Sequence, residues 1–153
     1  MNIYSNLDNI SFINSTVVTI GNFDGVHLGH KELIKQTIEI AKTKGITPVM
    51  FTFSNHPLEF LYNKQIEYLT SFEQKIKIVE KMGINDFVSI PFTYDIRNMS
   101  TEIFSREILT KKLNASDIVM GFDSKLGSGR QGSVDYLYEV GQREGFQVHI
   151  IDP

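Results

Sequence analysis

Two histidines separated by Leu28 and Gly29, in the order His27-Leu28-Gly29-His30, follow a turn of Gly21-Asn22-Phe23-Asp24-Gly25. At spacing i, i+3 the imidazoles of His27 and His30 fall on one side of a first helical turn. Gly25 and Gly29 let the backbone turn sharply and let a ligand come close. A helix N-terminus offers free N–H groups and the positive end of the helix dipole, so anions bind there. The chemistry such residues suit is that of phosphate, with donors set around oxygens whose charge shifts during transfer. Two other readings fit the same residues. One is a polar helix cap with two exposed histidines. The other is a metal shared by His27 and His30, but Asp24 is the only close carboxylate and no third nitrogen ligand is evident, so no metal site is predicted.

Positioning such a turn requires a strand before it and a helix after it. Thr16 to Ile20 is a β-branched run that reads as a buried strand. Leu33, Ile34, Ile38 and Ala41 recur at helical spacing and predict a helix from about Gly29 to Lys44. Further strands are expected at Thr47–Phe53, Phe87–Phe92, Asp117–Phe122 and Phe146–Ile151. Further helices are expected from a Thr70 or Ser71 cap to Met82, from Ser100 to about Leu113, and from Ser133 to Glu144. In the second helix the apolar stripe is read as Phe72, Ile76 and Val79. Met1 to Asn14 is polar and mixed, with no strand read in it and without the order of a signal peptide. Strands alternating with helices predict one α/β domain, a doubly wound, Rossmann-like parallel sheet of about five strands. Ligands of such sheets bind at the carboxyl ends of the strands. The histidine turn, the Asn55-His56-Pro57 loop and the Gly121-to-Gly132 loop all follow strands, and parallel strands would turn all three toward one crevice.

Gly127-Ser128-Gly129-Arg130-Gln131-Gly132 spells G-x-G-x-x-G. A dinucleotide site normally joins strand to helix directly through that motif, whereas Asp123 to Leu126 intervene here. A turn that closes the crevice is the plainer reading. In the second loop, Phe53 can pack on an aromatic ligand or simply end a core strand.

Composition narrows the partners. The chain is 41% hydrophobic and 22% charged, with a net charge of −3, the profile of an ordinary globular domain rather than of a nucleic-acid binder. It holds no cysteine, which removes disulfides, thiolate catalysis and zinc–thiolate sites, and fits a cytoplasmic protein. No apolar run is long enough to span a membrane. Small-molecule substrates are expected, with neither nucleic acid nor membrane as partner; the oligomeric state is not readable.

The string from Gly21 to His30 closely resembles the signature of the bacterial FAD synthetase module, the FMN adenylyltransferase half of bifunctional riboflavin kinase/FAD synthetase. The resemblance extends from about Thr16 to Pro153. It implies transfer of AMP from ATP to FMN, giving FAD and pyrophosphate, with Mg²⁺ arriving on ATP. His27 and His30 would be catalytic, holding the triphosphate. Gly21, Asn22, Phe23, Asp24, Gly25, Gly29 and Arg130 would bind ATP. Phe53, His56, Pro57, Gly121, Asp123 and Lys125 would bind the flavin. Ser54 and Asn55 depart from the family pattern, which has an acidic residue before its His-Pro pair. Ser124, Lys125 and Leu126 stand where the family has phenylalanine, arginine and phenylalanine, while Gly121, Asp123, Gly127, Gly129, Arg130 and Gly132 are retained. The family continues past its last strand into a Ser-Ser-Thr segment with a following arginine, and carries a riboflavin kinase module. The expectation is therefore either a fragment or a short single-activity form in which Lys125, Arg130 or a neighbouring subunit contacts phosphate. The alternatives are a flavin- or nucleotide-binding module without turnover, and a nucleotidyltransferase acting on another phosphorylated acceptor.

Overall fold

The computed structural model describes residues 1–23, 28–55, 71–122 and 134–152. The strands are β1 (Asn2–Tyr4), β2 (Thr16–Ile20), β3 (Thr47–Phe53), β4 (Asp86–Ile90), β5 (Ala115–Gly121) and β6 (Gln147–Ile151). They form one six-stranded sheet in the order β1-β4-β3-β2-β5-β6, and every pairing is parallel. The fold is thus the expected doubly wound α/β sheet, with six strands instead of about five. The added strand, β1, is three residues long and pairs along the β4 edge from Asn2 to Tyr4. It is too short to show an alternating pattern. Its place is fixed by partners distant in sequence, with Asn2 N–H donating to the Asn85 carbonyl at 2.7 Å and the Tyr4 hydroxyl donating to Asp86 Oδ1 at 2.9 Å.

Central strands of a parallel sheet are buried on both faces and read as continuous apolar runs. Val17, Met50, Phe87 and Val119 enter one core with Leu33, Ile34 and Ala41 of α1 (Leu28–Lys44) and Val79 of α2 (Phe72–Met82). The alternate residues Val18, Val49, Phe51, Val88, Ile118 and Met120 enter the other core. There they meet α4 (Thr101–Phe104), its continuation (Ser105–Lys112) and α5 (Val134–Glu144). A short turn of helix, α3 (Tyr94–Arg97), precedes α4.

Local signals act where the sequence places them. Ser71 caps α2 in a full capping box with Gln74, and Gly83 ends it at φ 113°, a conformation that glycine adopts without a Cβ penalty. Ser100 Oγ accepts from Ile103 N–H at 3.2 Å and starts α4 as expected. From Ser105 to Lys112, however, the helix winds as a π-helix. The buried residues Phe104, Ile108, Leu109 and Leu113 explain the change. At about 100° per residue they would spread over half the circumference of an α-helix. The wider winding returns them to one face, and Leu113 N–H bonds to the Ile108 carbonyl at 3.0 Å.

Among the described residues no helix is long and apolar enough to cross a membrane.

Candidate active site

Strand order reverses at β2. The chain runs from β2 outward through β3 to β4, then returns to lay β5 on the other side of β2. In an open α/β sheet the crevice lies outside the carboxyl ends of the strands at such a switch point. Thr19 pairs with Val119, so Gly21 and Gly121 flank that crevice at the ends of β2 and β5. Phe53 ends the neighbouring β3. Three of the loops expected to form a site therefore begin at one edge of the sheet.

The turn after β2 is built around Phe23. Gly21 N–H still donates to the Phe51 carbonyl at 3.2 Å, keeping the chain in the sheet. Phe23 then takes a left-handed φ of 55° and turns its ring inward, where it is fully buried. A non-glycine residue in that conformation costs about 1–2 kcal/mol, offset here by core burial of a large ring. A Cβ on residue 21 would lie 3.1 Å from Phe23 Cε2, close enough that the ring would have to shift by a few tenths of an ångström. Phe23 is fully buried, so its side chain is not open to a ligand.

His30 lies in the first turn of α1 and is half buried. Its imidazole meets the Phe23 ring edge-on, with centroids 5.3 Å apart. Gly29 also lies in α1, whose first turn contains no acidic residue, so no carboxylate there offsets the positive end of its dipole. The Asn22 carbonyl accepts from two side chains, Lys75 Nζ of α2 at 2.9 Å and Thr52 Oγ1 of β3 at 3.4 Å. Lys75 is buried, and the sequence reading missed it because it took the α2 stripe to be Phe72, Ile76 and Val79. The residues buried on α2 are Lys75 and Val79, whereas Phe72 is exposed at 44%. A lysine at i, i+4 from a core valine was the available signal.

On the β3 side, the Phe53 ring packs edge-on against Phe51 at 5.5 Å and Phe92 at 5.1 Å, and is half buried at the rim of the core. Asn55 clasps the chain after β4. Its Oδ1 accepts from Phe92 N–H at 2.8 Å, and its Nδ2 donates to the Phe92 carbonyl at 3.4 Å. This departure from the family pattern thus has a structural occupation, joining the exit of β3 to the exit of β4. Phe122, after Gly121, is half exposed, and its N–H bonds to the Ile151 carbonyl at 3.2 Å.

Gly21, Asn22, Phe23, Gly29 and His30 are therefore brought together, with Phe53 and Gly121 at the ends of the two strands that flank β2. Asp24, Gly25, His27, His56, Pro57, Asp123, Lys125 and Arg130 lie outside the described residues, as does the whole G-x-G-x-x-G stretch. Among the described residues no group of three or more histidine, aspartate or glutamate side chains is arranged to hold a metal ion.

At the opposite end of the sheet lies a separate polar cluster. Asp117, near the start of β5 and fully buried, accepts from Lys44 Nζ at 2.7 Å and Ser116 Oγ at 2.8 Å, and pairs with His149 Nε2 at 2.8 Å. Burial raises the Asp117 carboxyl, but the hydrogen bonds from Lys44, His149 and Ser116, with the charge of Lys44, outweigh it and hold the group below its ordinary value. The cluster ties the end of α1 to β5 and β6, away from the crevice.

The fold and sequence can be set beside known proteins. Residues 10–153 match the family model of FAD synthetase. A bifunctional riboflavin kinase/FMN adenylyltransferase from Buchnera aphidicola subsp. Schizaphis graminum is 39% identical over 150 residues, covering 97% of this chain and 48% of that protein. An FAD synthetase from Listeria monocytogenes is 35% identical over 128 residues, covering 82% of this chain and 51% of that protein. A crystal structure described as a macrolide-efflux protein from Streptococcus pneumoniae superposes with a TM-score of 0.83 at 22% identity, over 99% of this chain and 49% of that one, a likeness of fold alone. The chain spans about half the length of the curated relatives it matches. With a matched model spanning residues 10–153, a parallel sheet whose order reverses at β2, and relatives at this identity, the chain belongs to the FAD synthetase family.

Proposed function

We propose that this chain transfers AMP from ATP to FMN, corresponding to the adenylyltransferase half of its bifunctional relatives. An FMN phosphate oxygen attacks the α-phosphorus of ATP. A new P–O bond forms as the bond to the β-phosphate bridging oxygen breaks, and pyrophosphate leaves with that electron pair. No protein nucleophile is needed, since such transfer is driven by positioning and by stabilising shifted charge.

The observation that carries this reading is the packed turn at the switch point. The buried, left-handed Phe23 fixes both the backbone that follows β2 and one wall of His30. His30, with His27, holds the triphosphate and steadies charge as it moves to pyrophosphate. Gly21 to Gly25 offer backbone groups, and the start of α1 adds its dipole. Arg130 reaches ATP from the other loop. Phe53, His56, Pro57, Gly121, Asp123 and Lys125 form the flavin side. Mg²⁺ enters as part of the substrate, held by phosphate oxygens and water. The reading includes a cytoplasmic setting, which the absence of cysteine fits, and small molecules rather than nucleic acid or membrane as partners.

The test is to supply ATP labelled at the α-phosphate, with Mg²⁺ and FMN, and to separate the products. Label in FAD supports the reading. Label retained in ATP overturns it, as does label passing to 4′-phosphopantetheine in preference to FMN when both acceptors are supplied together.

A further inference from the structure

We infer that Lys75 is a positioning residue for ATP, acting through the backbone of the nucleotide turn. The inference rests on the adenylyl-transfer reading above. Lys75 is 9% exposed and stands in the first turn of α2, where its own N–H bonds to the Ser71 carbonyl at 3.0 Å. Both facts oppose a lysine. Burying an ammonium is costly, and the N-terminal turn of a helix repels positive charge. An apolar side chain of the same length would suit this place, next to Val79 and the core of α1.

The ammonium donates to the Asn22 carbonyl at 2.9 Å, a charge-assisted hydrogen bond to a backbone acceptor. The geometry around it is held rigidly. The Ser71–Gln74 capping box fixes the start of α2, and the Phe72 ring meets Phe87 of β4 at 5.8 Å. Lys75 thus approaches Asn22 from an element anchored to the sheet, whereas Asn22 lies between Gly21 and the strained Phe23. Pulling that one carbonyl inward orients the peptide that joins Asn22 to Phe23. The buried positive charge lies behind the start of the turn proposed to receive an anion. Lys75 need not touch substrate. A stabilising role alone would be met as well by methionine; a positioning role would not.

Lys75→Met and Lys75→Arg are compared with Lys77→Met, which alters an exposed lysine of the same helix. MgATP binding is measured by calorimetry without FMN, and FAD formation is measured separately. Lys75→Met is expected to weaken MgATP binding at least five-fold and to raise KM for ATP by a similar factor, with KM for FMN within two-fold of wild type. Lys75→Arg should recover at least half of the loss on a logarithmic scale, and Lys77→Met should bind as wild type does. MgATP binding by Lys75→Met within two-fold of wild type overturns the inference, as does equal weakening toward FMN. If Lys75→Met does not fold, Lys75→Gln carries the same expectations. Wild type that binds MgATP but forms no FAD overturns the adenylyl-transfer reading while leaving the binding comparison decisive for Lys75. Wild type that binds no MgATP overturns both.

Discussion

The ring of Phe23 lies edge-on to the imidazole of His30 at 5.3 Å, so the turn that leaves β2 and the first turn of α1 form one packed unit. The pairing makes a core residue the support of a residue proposed to act in the site. Replacing Phe23 should therefore separate stability from activity. Phe23→Leu keeps most of the buried volume and should cost no more than about 1.5 kcal/mol in chemical denaturation. FAD formation should fall by more than the small loss of folded protein explains, because His30 loses a wall. Full activity in Phe23→Leu would show that the ring does not hold His30.

The same unit explains Gly21. A methyl group there would come within 3.1 Å of a fully buried ring. Gly21→Ala should destabilise the chain by about 1–3 kcal/mol, the range for overpacking, and lower the melting temperature measurably. An unchanged melting temperature would mean that the turn yields.

Asn55 should act on the flavin side alone. Asn55→Ala removes the paired hydrogen bonds to the Phe92 backbone, which contribute about 1 kcal/mol each. KM for FMN is expected to rise several-fold, with KM for ATP unchanged. A rise in KM for ATP alone would reverse the assignment of the two sides.

Asp117 supplies a prediction about pH. Its folded pKa is depressed relative to an unfolded value of about 3.9, so its contribution to stability is present above that value and lost as pH falls through the folded pKa. The wild type should hold its stability from neutrality down to about pH 4 and lose it below. Asp117→Asn should be less stable at neutral pH by about 2–4 kcal/mol, below the usual figure for a broken buried pair because Lys44 and His149 are 39% and 32% exposed. Its stability should also fall less steeply in acid. Because the cluster lies at the far end of β5, kcat of the folded variant should match wild type. Thermal denaturation across pH and steady-state kinetics check both parts.

Much of this was legible in the sequence because the signals were local. The apolar runs of β2, β3 and β5 reveal burial on two faces, and Ser71, Gly83 and Ser100 mark helix ends by their own side chains or backbone freedom. The strand read before the histidine turn is β2, where the strand order reverses. What escaped was what only tertiary contact decides. β1 exists because β4 offers an edge, and the residues from Ser105 wind widely because four apolar side chains must share one face. The left-handed Phe23 and the inward-pointing Lys75 depend on partners across the fold. Asn55 looked like a departure from the family pattern until its clasp on Phe92 was placed.

The central claim is that His30, held by Phe23 at the switch point, serves adenylyl transfer to FMN. The most direct test is FAD formation from ATP, Mg²⁺ and FMN by the wild-type chain and by His30→Ala, with FAD identified by chromatography and pyrophosphate counted against it. The account predicts FAD and pyrophosphate in equal amounts from wild type, and kcat lower by on the order of 10²-fold in His30→Ala with its fold intact, as for loss of one transition-state donor. No FAD from a wild-type chain that binds both substrates, or His30→Ala activity within two-fold of wild type, would contradict it.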